Sequence, residues 1–103
     1  MSTFFMTEEY ILYILYSYKY KKTYVGITNN LIQRFISHNV LGHGWTAKYR
    51  PWIVAYIEVF ENKTEATKRE KYFKTGSGHY AKQKIVQDFI TSSGSYSSHY
   101  SNK

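Results

Sequence analysis

The chain predicts an α+β fold. A small three-stranded antiparallel sheet, in the spatial order 2-1-3, is flanked by helices in the chain order β-β-α-β-α-α. Three observations lead there. "EYILYILYSYKYKKTYVGI" reads as two strands joined by a polar turn. "WIVAYIEVF" is a third apolar run, bounded by Pro51. The segments after the second and third strands carry apolar residues at helical spacing.

Strand one covers Tyr10 to Tyr16, and both of its faces are apolar or aromatic. A strand buried on both faces is usually central. Ser17 to Lys22 makes the turn, without the Asn-Gly pair that would fix its register. Closure at Tyr16 and Lys21 puts Tyr13 opposite Tyr24. Closure at Tyr18 and Lys21 makes them diagonal neighbours. In both cases they project from one face, because side-chain direction repeats every second residue. Strand two, Thr23 to Ile27, is short and reads as an edge. Strands one and three are the more apolar, which gives the order 2-1-3.

Thr28 or Asn29 is placed to cap a helix beginning near Asn30. Leu31, Ile32, Phe35 and Ile36 form its apolar stripe. "VLGHGWTAKYRP" reads as a loop from its glycines and proline, made basic by Lys48 and Arg50. Thr64 caps the next helix, with Glu65 in its first turn, and Gly76 ends it. "YAKQKIVQDFI" predicts a last helix through Ile85, Val86, Phe89 and Ile90. "TSSGSYSSHYSNK" is Ser-rich and reads as a disordered tail. The organisation expected is one domain over 1–90 and a tail over 91–103. No internal repeat is visible.

Bulk properties narrow the function. A chain of 103 residues without cysteine forms one modest core with no disulfide to support it. Absence of cysteine fits a reducing compartment. No apolar run reaches the length of about 20 residues needed to span a bilayer. "MSTFFMTEEY" has no basic n-region and meets Glu8 and Glu9 early, so no signal peptide and a cytoplasmic location are expected. The formal charge of +7 favours a polyanionic partner, nucleic acid first. His43, His79 and His99 show no metal-ligand spacing, which disfavours zinc. No Walker-type loop or GxGxxG is present.

Polar groups break the apolar pattern at four places. With Leu31 at zero on a helical wheel, Phe35 falls at about 40°, Arg34 at about 300° and His38 at about 340°. Arg34 and His38 thus share one edge of the buried stripe. They read either as a snorkelling arginine with a core-edge histidine or as a functional pair. In the second helix Ala66, Glu70 and Phe73 fall on one face, so a carboxylate interrupts the apolar stripe. An inward carboxylate costs several kcal/mol unless met by positive charge. A salt bridge or a divalent cation would serve equally. Tyr13 and Tyr24 read as cross-strand packing or as paired phenols. Gly26 either admits a close backbone, such as a ligand's phosphates, or releases the chain into the helix.

Together, "LYILYS", "KTYVGITNNLIQRFISHN" and "RPWIVAYIEVFENKTEATKREKYFKTGSG" closely resemble the GIY-YIG nuclease domain, in its small stand-alone bacterial form related to the excision-repair endonuclease subunit. The resemblance covers roughly Glu9 to Gly78. The first family triplet corresponds to Leu12-Tyr13-Ile14, with leucine for glycine. The second corresponds to Tyr24-Val25-Gly26, with valine for isoleucine. Arg34, His38 and Glu70 match the family's helix arginine, its histidine or tyrosine, and its metal-binding glutamate. Ile27-Thr28 lacks the lysine some members carry there, and "GHYAKQKI" lacks a later asparagine. The resemblance implies a metal-dependent DNA endonuclease with one Mg²⁺ or Mn²⁺ on Glu70. Tyr13 or Tyr24 serves as base, Tyr24 being slightly favoured, and Arg34 meets the phosphate while His38 relays a proton. Lys48 and Arg50 are candidates for DNA-backbone contacts. RNA is not excluded as substrate, and a protein partner could supply specificity. The rival class is a non-catalytic nucleic-acid-binding module or adaptor with the same fold.

Overall fold

The structure, a computed structural model, describes the backbone of residues 9–101 and the side chains of residues 9–92. Glu8 and the last two residues of the expected tail lie outside the described residues. β1 (Tyr10–Ser17) and β2 (Lys22–Thr28) form an antiparallel hairpin, and β3 (Ile53–Phe60) pairs antiparallel with the other side of β1. The sheet order is β2-β1-β3, as the apolar runs predict. β3 is nevertheless an edge, and its Ile57 and Val59 are exposed.

Because β1 is central, both of its faces are covered. Leu12, Ile14 and Tyr16 pack with Val25, Phe73 and Val86 on one face. Tyr13 and Leu15 pack with Trp52, Tyr24, Leu31 and Phe35 on the other. The hairpin closes in the offset register: Tyr13 pairs with Gly26, and Leu15 with Tyr24. Tyr13 and Tyr24 are thus diagonal neighbours on one face. Ser17, fully buried, holds the turn by accepting from the Lys21 amide at 2.7 Å, while Lys21 takes the positive φ of 55°.

α1 spans Leu31–Ile36, one residue later than the capping pattern predicts. Asn30 is its N-cap, its side chain accepting from the Gln33 amide at 3.1 Å. Such a cap stabilises a helix by about 1 kcal/mol. Thr28 instead braces Asn30, accepting from its amide at 3.0 Å. The buried stripe is narrower than the four residues expected. Leu31 and Phe35 pack inward, but Ile32 and Ile36 are exposed. A π-helical turn, Ser37–Leu41, follows α1 directly. The buried side centres on Leu31, with Phe35 and His38 within about 40° of it on the helical wheel.

The stretch read as a basic loop contains a short helix, α2 (Trp45–Lys48). α3 (Lys63–Lys74) begins from Asn62, not Thr64: the Asn62 side chain accepts from the Glu65 amide at 2.9 Å. Ala66 and Phe73 are fully buried, as their spacing predicts. α4 runs Gly76–Ser101, so its backbone continues through most of the segment expected as a tail. Only Thr75 separates α3 from α4. A Cβ on Gly78 would stand 1.7 Å from the Tyr72 carbonyl oxygen, so that corner requires a residue without a side chain. No described helix is long and apolar enough to cross a membrane.

Candidate active site

The site is built on the face of the sheet that carries Tyr13. Alternation in β1 points Tyr13 under α1, and it is almost fully buried. Its ring crosses β2 at Gly26. A Cβ on that glycine would lie 2.5 Å from the Tyr13 hydroxyl oxygen and 2.7 Å from Cζ. Gly26 is therefore the opening that lets the phenol reach over the edge strand. This is a close approach by the protein's own side chain.

His38 meets that phenol. The Tyr13 hydroxyl lies 2.9 Å from His38 Nε2, and His38 Nδ1 lies 3.0 Å from Thr46 Oγ1. His38 and Thr46 are both buried. Burial, then the charges of Arg34 and Arg50, lower the His38 pKa below its ordinary 6.5. The ring is neutral at pH 7, so one nitrogen donates and the other accepts. Burial raises the Tyr13 phenol well above its ordinary value; Tyr24 and Glu70 raise it further, while Arg34 opposes them. Tyr13 stays protonated and donates to Nε2. Nδ1–H then donates to Thr46.

Three anchors hold this histidine. Asn39 pins the π turn to the start of β3: its side-chain amide donates to the Trp52 carbonyl at 2.9 Å and accepts from the Trp52 amide at 2.6 Å. The Trp52 indole donates to the Thr46 carbonyl at 2.7 Å. Arg50 donates to the carbonyls of His38, Ser37 and Gly42. The guanidinium expected on a phosphate thus satisfies the open end of the π turn.

A pH dependence follows. The folded-state pKa of His38 lies below its unfolded value, so acid protonates the unfolded chain first. Its contribution to stability is full above about pH 6.5. It is lost as pH falls through the depressed folded value. The urea midpoint should drop between about pH 7.5 and 5.5, and less so in His38→Gln. Equal midpoint changes in both proteins would contradict a neutral, hydrogen-bonded His38.

The other predicted residues sit around this chain. The Tyr24 ring is 4.8 Å from His38 and 6.2 Å from Tyr13, centroid to centroid. Arg34 is exposed and lines a polar depression with Thr28, Asn29, Asn30, Gln33 and Ser37. Glu70 arrives from α3, which packs along β2 and β1 on the opposite face from α1. Its charge is the smallest of the four influences on the Tyr13 phenol, after burial, Tyr24 and Arg34. Glu70 is half-buried. Lys74 takes its Oε2 at 3.0 Å, and Oε1 has no partner among the described residues. Lys48 is exposed and stands 5.5 Å from the Tyr49 ring centre.

Thr46, Asn39 and Trp52 escape the sequence reading. Two glycines and a proline mark their neighbourhood as a loop, and a buried hydroxyl on a four-residue helix has no periodicity to betray it. A separate network closes the outer edge. Arg69 donates to both oxygens of Glu58, at 2.9 and 3.0 Å, and the Tyr56 hydroxyl also donates to Glu58.

The family model described as the GIY-YIG catalytic domain matches residues 9–84. The chain belongs to the GIY-YIG family. Membership implies a nuclease-type function and a nucleic-acid substrate, and GIY-YIG nucleases typically depend on a divalent metal. This GIY-YIG domain is 45% identical over 60 residues to a UPF0213 protein of Clostridium perfringens, covering 54% of this chain and 61% of that one. It is 36% identical over 66 residues to a UPF0213 protein of Staphylococcus haemolyticus, covering 63% and 79%. A UPF0213 protein of Limosilactobacillus reuteri is 38% identical over 71 residues, covering 66% and 73%. The match thus spans less than two thirds of the Clostridium protein's length. No solved structure gives a match.

Proposed function

We propose that the protein is a metal-dependent endonuclease that hydrolyses DNA phosphodiester bonds with a tyrosine-assisted water. The observation that carries this reading is the Tyr13–His38–Thr46 chain with Tyr24 against His38.

The donor set fits a hard divalent cation. No described cluster of three His, Cys, Asp or Glu exists, which disfavours a tightly caged metal. Magnesium keeps several waters and takes one or two carboxylates beside substrate phosphate, and Glu70 offers one carboxylate with a free oxygen. Mg²⁺ or Mn²⁺ held there would neutralise charge on the phosphate and on the departing 3′ oxygen.

The remaining work belongs to side chains. Arg34, open to solvent at the rim, donates to a non-bridging phosphate oxygen, where charge builds up. Tyr13 is the poorer base, because burial holds its proton. Tyr24, half-buried against His38, first gives up its own proton to solvent. The resulting phenolate, which the bound cation and Arg34 would favour, takes the proton of the attacking water. Tyr13 and His38 fix the position of that phenol. Lys48 adds affinity from the rim without reading sequence.

The test is direct. Supercoiled plasmid, branched DNA and RNA are incubated with Mg²⁺ and then with chelator. Chelator-sensitive nicking is expected; binding without nicking in any condition would instead establish the non-catalytic module. Arg34→Ala should lower kcat by about 10² or more and leave DNA affinity within about threefold, since one exposed contact adds little to the ground state. Equal losses in both would recast Arg34 as a binding residue.

A further inference from the structure

An aromatic strip leads away from the site along one surface. From Tyr24 it passes to Trp45 at 6.3 Å, then to Tyr49 at 4.8 Å, then to Tyr20 in the hairpin turn at 5.4 Å, centroid to centroid. Trp52, beneath it, is fully buried and explains itself as core. Trp45 and Tyr20 do not: 48% and 41% of their surfaces are open. Two half-open rings joined through Tyr49 form a continuous aromatic surface, and such a patch is characteristic of a contact site.

Lysines cover the same strip. Lys22 and Lys48 stand 5.2 and 5.5 Å from the Tyr49 ring centre, and Lys19 stands 5.3 Å from that of Tyr20. No Asp or Glu occurs in the sequence between Glu9 and Glu58, and among the described residues none of these three lysines makes an ion pair. Half-open aromatic rings interleaved with mobile-ended lysines match one chemistry: flat bases joined by phosphates, which draw the ammonium groups off the rings as the bases stack. Paired bases turn only their edges outward, so ring faces are available only on an unpaired strand.

We infer that this strip is a subsite for unpaired nucleotides flanking the scissile phosphate, and that the enzyme acts on single-stranded or splayed nucleic acid. The inference rests on the proposed nuclease reading for the position of that phosphate. Trp45, next to Tyr24, stacks the nearest base, and Tyr20 a more distant one. Lys19, Lys22 and Lys48 follow the backbone.

The full chain is titrated, in chelator, against a labelled oligothymidylate of about twelve nucleotides and a duplex of equal length, reading fluorescence anisotropy. The single strand should bind more tightly. Trp45→Ala and Tyr20→Ala should each weaken it by roughly fivefold or more while changing duplex affinity by less than about twofold. Tyr20→Phe, which keeps the ring face, should bind as the parent does. Circular dichroism confirms that each variant is folded. Duplex affinity equal to or above that for the single strand, or parallel losses on both ligands, would overturn the inference. The two readings fail separately. A protein that nicks plasmid but binds single strands no better refutes the subsite alone. One that binds single strands through Trp45 and Tyr20 yet never cleaves refutes the nuclease alone.

Discussion

Glu70→Gln is expected to lower Mg²⁺-dependent cleavage by about 10³-fold or more while leaving the thermal midpoint nearly unchanged. The two expectations have different origins. The substitution keeps the shape of the side chain and an oxygen that can accept from Lys74, so packing on α3 is undisturbed. The ion pair it removes is an i,i+4 contact to a lysine whose side chain is half exposed, worth at most a few tenths of a kcal/mol. The charge it removes is the one that would hold the cation. Binding to DNA in chelator should survive, because it depends on the basic surface. Two measurements check the claim: a nicking assay across Mg²⁺ concentration and a melting curve of the same preparation. Nicking at the parent rate would remove Glu70 from the mechanism. Lost nicking with a midpoint lowered by ten degrees or so would make it a structural acid instead.

The sheet was readable because strands one and three are apolar on both faces and strand two is short and more polar, which leaves strand two at an edge. Tyr10 to Tyr16 can only be central. β3 looked equally apolar, yet Ile57 and Val59 are open at its edge, so composition overstated its burial. Of the site, Tyr13, Tyr24, Arg34, His38 and Glu70 were legible because each breaks a periodic pattern or matches a family position. The structure sets Tyr13 and Tyr24 against His38, leaves Arg34 exposed one turn earlier, and puts Glu70 on the helix of the opposite face. The supports were not legible. Thr46 and Asn39 act through contacts between residues 8 and 13 positions apart, across a π turn that a wheel of constant pitch cannot represent. His38 is central to the inward side because Ile32 and Ile36, which the wheel counted in the stripe, are exposed, leaving Leu31 and Phe35 beside it. Arg50 carried the same charge as Lys48 in the sequence. Only coordinates distinguish an arginine that closes three carbonyls from a lysine left free at the rim.

Gly26→Ala should inactivate the protein at a position that holds no chemical group. The added methyl would fall 2.5 Å from the Tyr13 hydroxyl and 3.1 Å from Tyr24 Cε2. Both contacts are side chains, so relief is available, but only by moving the phenols. Tyr13 cannot rise, because α1 and His38 lie over it. It must swing along β2, which breaks the 2.9 Å contact with His38 and leaves a buried hydroxyl and a buried ring nitrogen without partners. Overpacking of this kind costs roughly 1–3 kcal/mol, which in a domain this small lowers the midpoint by roughly four degrees or more. Cleavage should fall by about 10² or more, since a displacement near 1 Å at a reacting group has that effect. A merely structural role for Gly26 predicts the loss of stability without the second loss, so the decisive measurement is a double-mutant cycle with Tyr13→Phe. If Gly26 acts by positioning the phenol, Tyr13→Phe lowers turnover in the parent and adds almost nothing in Gly26→Ala, because the hydroxyl has already left the chain. Independent, additive losses would show that the glycine serves the strand and not the tyrosine.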